Sequence, residues 1–272
     1  MYELNYVRRR KARKIGALVL GVSAVVVTSM SIVAFLGRFV GTFTVSLDAS
    51  NVEVSLSESS TFESPTSYLR VANLPDYGES TFTNIDDVEV VDNENSSYLI
   101  GATYLQDGAT IDRFNYFKYT FFITNSGSDD CQFDFRINIT DNSPSTDGRY
   151  LDETIRVMVY ETDVNTGVRD RHVYAKKGRI AHLDKNGEKD YSEAISIREE
   201  DASEKEPFIG YATNFESSDR IGTINVPQFK SQEVRRYTLV MWLEGYDPES
   251  LNVAPPKGAS LKIGVDINAY EI

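Results

Sequence analysis

Hydrophobic positions in this chain follow two unlike patterns. From Ile15 to Leu36 they form one run of 22 residues without a charge. From Phe39 onward they come in short bursts that alternate with polar residues. As a helix rising about 1.5 Å per residue, the first pattern spans roughly 33 Å, against a bilayer hydrocarbon core of about 30 Å. Arg8, Arg9, Arg10, Lys11, Arg13 and Lys14 stand directly before it. Such a basic cluster holds its own side in the cytoplasm. The pattern predicts a cytoplasmic tail over residues 1–14, a transmembrane signal anchor over 15–37 and an extracellular domain over 38–272. Residues 15–37 then make the lipid bilayer a partner of the chain. The competing reading is a cleaved signal peptide and a secreted domain. Its apolar region would be shorter, about 7–15 residues, and a cut after Ala34 would put Ile32 where a small residue is preferred.

The second pattern predicts strands. Phe39–Leu47 places Phe39, Phe43, Val45 and Leu47 on one face, and Val52–Leu56 alternates after a turn-rich Asp48–Asn51. The two form a hairpin or change sheet between them. Ser57–Tyr68 reads as loop, and Tyr68–Asp92 as an irregular, partly strand-forming excursion broken by Pro75 and Gly78. The densest core is expected from Tyr98 to Val159. Tyr116–Thr124 is aromatic and β-branched throughout, and in Cys131–Ile139 odd positions are apolar and even ones polar, the signature of a half-buried antiparallel strand. Ile155–Tyr160, Glu233–Glu244 and Leu261–Ile267 predict three more strands. Thr162–Phe229 is polar, with an Asn186-Gly187 pair that favours a type I′ hairpin turn. Helical turns are expected only around Tyr191–Ile195 or Arg198–Glu206. The fold class is therefore mainly β, an antiparallel β-sandwich of jelly-roll or Ig-like type behind one transmembrane helix.

Charge sharpens this picture. Seven of the 28 basic residues and one of the 41 acids lie in residues 1–38, which leaves 21 against 40 in residues 39–272, a balance of −19. That field repels nucleic acid and excludes it as a partner class. It confers solubility, and at most weak capture of extracellular Ca²⁺. Cys131 is alone, so neither an intrachain disulfide nor a cysteine zinc site is available.

Catalytic signatures are wanting. The two histidines, His172 and His182, are not followed by the Glu of a His-Glu-x-x-His zinc site, and no Gly-x-Ser-x-Gly elbow occurs. Asp184-x-Asn186-Gly187-x-x-x-Asp190 resembles an acidic loop. The calcium-binding EF-hand order, however, wants Gly and Glu where Lys189 and Ile195 stand. Trp242 with Tyr237 and Tyr246 offers either a ligand platform or plain core. No residue is assigned as catalytic, cofactor-binding or metal-ligating, and no cofactor is expected.

Four stretches share a pattern: Phe39–Asp48 (Phe-x-Gly-x-Phe), Pro65–Leu69, Tyr116–Gly127, and Tyr237–Pro248 with its Trp-Leu-Glu-Gly-x-Asp-Pro element. In this the chain resembles a family of signal-anchored surface proteins of Gram-positive bacteria. It is distantly similar to the camelysin/TasA-type proteins, whose members form biofilm-matrix fibres. It departs from the pattern where a Cys commonly follows the Asp-Pro; Glu249 and Ser250 stand there. The resemblance implies a sandwich that acts without catalysis, through a protein partner or by self-assembly through strand addition. Two other classes compete, a cell-envelope hydrolase or protease and an accessory or sensor subunit of a membrane complex.

Overall fold

Strands β1 (Phe43–Asp48) and β2 (Val54–Ser57) lie in different sheets, so the turn between them is a change of sheet and not a hairpin. The computed structural model describes residues 43–49, 51–71, 79–80, 82–84, 99–106, 109–195, 210–250, 255–256 and 258–272. The expected anchor over 15–37, the start of the first strand at Phe39 and the charge cluster Arg198–Glu206 lie outside them. Among the described residues no helix is long and apolar enough to cross a membrane. The described chain is mainly β.

The remaining strands follow in order: β3 (Tyr68–Val71), β4 (Glu79–Ser80), β5 (Phe82–Thr83), β6 (Leu99–Gln106), β7 (Ala109–Asn125), β8 (Cys131–Ser143), β9 (Ile155–Asp163) and β10 (Arg169–Ala175). Then come β11 (His182–Leu183), β12 (Lys189–Asp190), β13 (Thr213–Asn214), β14 (Arg220–Phe229), β15 (Val234–Glu244) and β16 (Ser260–Glu271). One sheet runs β14-β8-β16-β1-β3. The other runs β13-β10-β9-β15-β7-β2, with β4 and β6 on β7 and β5 on β15. The pairing is antiparallel with exceptions that the alternation did not reveal. The first strand runs parallel to the last, Thr44 opposite Gly264 through Asp48 opposite Asn268. The short strands β4, β5 and β13 also pair in parallel.

Alternation becomes packing between the sheets. In β8, Cys131, Phe133, Phe135, Ile137 and Ile139 are buried, and Phe121 of β7 and Tyr237 of β15 face them from the other sheet. Phe135 stacks on Tyr237 at 4.6 Å between ring centres and on Phe121 at 6.1 Å, while Phe43 of β1 reaches Tyr119 at 5.3 Å. Each such aromatic pair contributes about 0.5–1.5 kcal/mol beyond its buried area. Tyr237 is also the polar end of this core. Its hydroxyl donates to Glu161 at 2.8 Å, Arg235 pairs with the same carboxylate, and Arg235 Nε donates to Glu233 at 2.7 Å. Burial and the Glu161 charge hold the Tyr237 phenol far above its usual range.

The nine-stranded sheet is covered on its other face as well. Tyr116, Met158, Val173, Ala175, Val240 and Trp242 form a second apolar cluster there, closed by Ile195 and Ala212. Segment 191–195 lies over the sheet as a lid without helical structure, with a bridge from Ala194 to Tyr211. The helical turn expected there is absent; the backbone pairs with 210–212 instead, through Ile195 N–H to the Gly210 carbonyl and Ala212 N–H to the Glu193 carbonyl. The polar stretch after Thr162 also contains strands that its composition concealed, β10 and β14 the longest of them. In β14, Ile221, Ile224, Val226 and Phe229 are buried against a sheet that alternation alone did not place beside them.

Gly222 of β14 shows how tightly this is packed. A Cβ there would lie 2.3 Å from the ring of Tyr174, which is itself buried. Gly222→Ala is expected to destabilise the fold by about 1–3 kcal/mol, the usual scale of overpacking, as read from the midpoint of urea unfolding. A neutral substitution would show that the ring has room to move.

Candidate functional site

The even positions of β9 face the second cluster, and one of them, Arg156, is charged. It lies opposite Trp242 in the ladder and its side chain is only 1% exposed. Burying such a guanidinium is costly unless it is paired and hydrogen-bonded. Nη1 donates to Asp247 Oδ2 at 2.8 Å and Nε to the Ala194 carbonyl at 3.0 Å, while Nη2 stands 3.9 Å from Glu193 Oε2. Arg156 thus ties the lid segment and the turn after β15 to the sheet.

That turn is the Trp-Leu-Glu-Gly-x-Asp-Pro element. Trp242 Nε1 donates to Glu244 Oε2 at 2.8 Å, and Glu244 Oε1 accepts the Tyr246 N–H at 3.1 Å. Asp247 Oδ1 accepts the Glu249 N–H at 2.8 Å, and Ser250 Oγ donates to the Glu244 carbonyl at 2.8 Å. The acids in this element therefore hold the turn in shape and bring Glu249 beside Asp247. Oxygens of Glu193, Asp247 and Glu249 lie within 4.8 Å of one another. Glu249 Oε2 is buried without a hydrogen-bond partner, and Arg179 approaches Glu249 Oε1 at 3.7 Å from solvent.

Carboxylates held together away from water keep their protons. Burial, then the Asp247 charge, push Glu193 up to about 7 against the pull of Arg156. Burial raises Glu244, and burial followed by the neighbouring Asp247 raises Glu249. Beside this group opens a cavity of about 140 Å³, whose lining includes Arg156, Glu193, Glu244, Tyr246, His182 and Tyr211.

The residues singled out in the sequence divide around this site. His182 lies at the cavity wall, its ring 3.5 Å from that of Tyr211 and parallel to it. His172 belongs to β10 and stacks on Tyr174, so the two histidines occupy different sheets. Asp184 is a turn residue, with Oδ1 accepting the N–H of Asn186 at 2.9 Å and of Glu188 at 2.8 Å. The hairpin joining β11 and β12 closes by a Gly187 N–H to Asp184 carbonyl bond, and only Gly187 has positive φ. It is a three-residue loop ending in a left-handed glycine and not the type I′ turn expected from Asn-Gly. Asp190 bonds Ser192. Tyr237 and Trp242 point to opposite faces of β15, one into each cluster, so only Tyr246 of the proposed aromatic platform reaches the cavity.

The sequence carried one sign of the site that periodicity passes over. Arg156 is the single charge inside an otherwise apolar Ile155–Val159, and a charge in such a run marks a strand buried on both faces. Compared with known protein families, curated proteins and solved structures, the chain matches none.

Two outcomes test the electrostatics. Arg156→Met leaves the buried Asp247 side chain without its partner, which costs about 3–5 kcal/mol. Adding Asp247→Asn, which keeps the Oδ1 acceptor of the turn, is expected to restore a large part of that in urea unfolding. Equal damage in the single and double variants would mean the pair is not coupled. The second outcome concerns pH. Glu193 is raised from 4.5 to about 7 in the folded chain, so its contribution is complete below 4.5 and is lost as pH rises through about 7. Glu193→Gln should flatten the thermal midpoint across that window; an unchanged slope would remove Glu193 as its source.

Proposed function

We propose that the chain is a membrane-anchored extracellular sandwich, jelly-roll or Ig-like, that works as a surface interaction or matrix-type structural module and not as an enzyme. The observation that carries this is the place of β1. It follows the apolar stretch 15–36 after a few residues and sits inside a sheet, parallel to β16 and antiparallel to β3. Phe43 and Val45 are buried in the core between the sheets.

A strand so placed is both a plug and a link. Withdrawing it bares the backbone edge of β16 and a slot lined by apolar side chains, and the same strand from a second copy fits that slot. While the anchor is intact, β1 is tethered to its own domain. Once the chain is cut near Ala34, β1 becomes a free N-terminal strand able to join another copy. The resemblance to signal-anchored and fibre-forming surface proteins supports the same reading. So do the histidines, which are engaged in ring stacking on Tyr174 and Tyr211.

Purified residues 38–272 are expected to form concentration-dependent oligomers in analytical ultracentrifugation, and an excess of a peptide spanning 39–48 should suppress them. A sample that stays monomeric at high concentration, with and without Ca²⁺, would overturn the assembly mechanism.

A further inference from the structure

We propose that the cavity beside Glu193 is a binding site for a primary alkylammonium group, the end of a lysine side chain or of a free amine. The site involves no residue of β1, so the failure of this proposal and the failure of strand assembly are separate events.

The first argument is the state of Glu193. Its side chain is 8% exposed and lines the cavity, yet among the described residues its carboxylate has no hydrogen bond. Its ion-pair partner, Arg156 Nη2, is 3.9 Å away, too far for a hydrogen bond. A carboxylate largely withdrawn from water and without a donor is costly to keep charged. An ammonium entering from the cavity brings three N–H donors and a positive charge to that position.

The second argument is the charge balance. Glu193, Glu244, Asp247 and Glu249 gather around one buried cation, Arg156, whose close contact is with Asp247, and one exposed cation, Arg179. When Glu193 is ionised, the position facing it is short of positive charge.

The walls supply the third. Ile180, Ala181 and Pro248 line the cavity with the rings of Tyr211, His182 and Tyr246. Ile180 is 69% and Tyr211 46% exposed, so the mouth opens to solvent. Apolar walls suit the methylene stem of an alkylammonium, and an aromatic face attracts its head. They suit a divalent metal poorly, because a hard cation needs several oxygens. Of the three clustered carboxylates, Asp247 is already bonded through both oxygens, to Arg156 and to the Glu249 N–H. The neighbouring guanidinium also repels a double charge twice as strongly.

The groups facing Glu193 fix how binding varies with pH. They are Arg156 from β9, Glu244 from β15, Asp247 and Glu249 from the turn after it with Arg179 outside them, and His182 and Tyr211 in the cavity lining. Alkylammonium binding needs the Glu193 carboxylate, so affinity rises as pH climbs through about 7.

The chain contains a single tryptophan. Its indole donates to Glu244, a lining residue, which makes Trp242 fluorescence a reporter of the site. The intact chain is titrated with Nα-acetyl-lysine amide, n-butylamine, the neutral Nα-acetyl-norleucine amide, and CaCl₂. The two amines are expected to give saturable responses and the norleucine compound none. A tighter response to the lysine amide points to a polypeptide source, and equal responses point to a free amine. Glu193→Gln should weaken amine binding about tenfold or more. Tyr211→Ala, which removes a half-exposed ring of the cavity wall, should weaken it by a few-fold. The proposal is overturned by the absence of saturable amine binding, by equal binding of norleucine, by unchanged affinity in both variants, or by a Glu193-dependent response to CaCl₂ tighter than to either amine.

Discussion

β15 is buried on both faces, and most of the structure answers to that constraint. A strand between two others in the middle of a sheet has its backbone satisfied by β7 and β9, which leaves its side chains to set what must cover them. Tyr237, Leu239, Met241 and Leu243 demand the five-stranded sheet; Val240 and Trp242 demand something on the other side. The second demand is met by the lid, with Ile195 and Ala212, and not by a further sheet. A lid of irregular chain brings carbonyls and polar side chains that a sheet would have paired internally. Arg156 is where those groups are gathered. It satisfies the Ala194 carbonyl and neutralises Asp247 at the one place where lid, turn and sheet meet.

The core between the sheets was legible because it obeys a period of two. Cys131–Ile139 shows its buried face in its spelling, and the aromatic run Tyr116–Thr124 could only be interior. β14 was not legible. Its apolar residues are spaced by Gly222 and Pro227 within a polar neighbourhood, and their burial is decided by β8, about ninety residues earlier in the chain. The parallel pairing of β1 with β16 is likewise a fact about distant segments that no local pattern records.

The site was hidden for a related reason. Glu193 sits in a stretch whose composition reads as solvated loop, and Asp247 and Glu249 in one that reads as a turn. Both readings describe the local backbone correctly. What they omit is that these segments lie against Arg156, and a buried ion pair between residues 91 apart leaves no trace in either segment alone. The only hint was the misfit itself, a guanidinium inside an apolar strand.

The pairing of the first strand with the last also has a mechanical meaning. β1 and β16 run in the same direction over the ladder from Thr44–Gly264 to Asp48–Asn268, so the chain enters this ladder at one end and leaves it at the other. Tension between the start of β1 and the end of β16 acts along the strands. It strains the hydrogen bonds of the ladder together in shear, where a hairpin pulled from its open end would lose them one by one. A domain pulled from these two ends bears the force across its strongest direction.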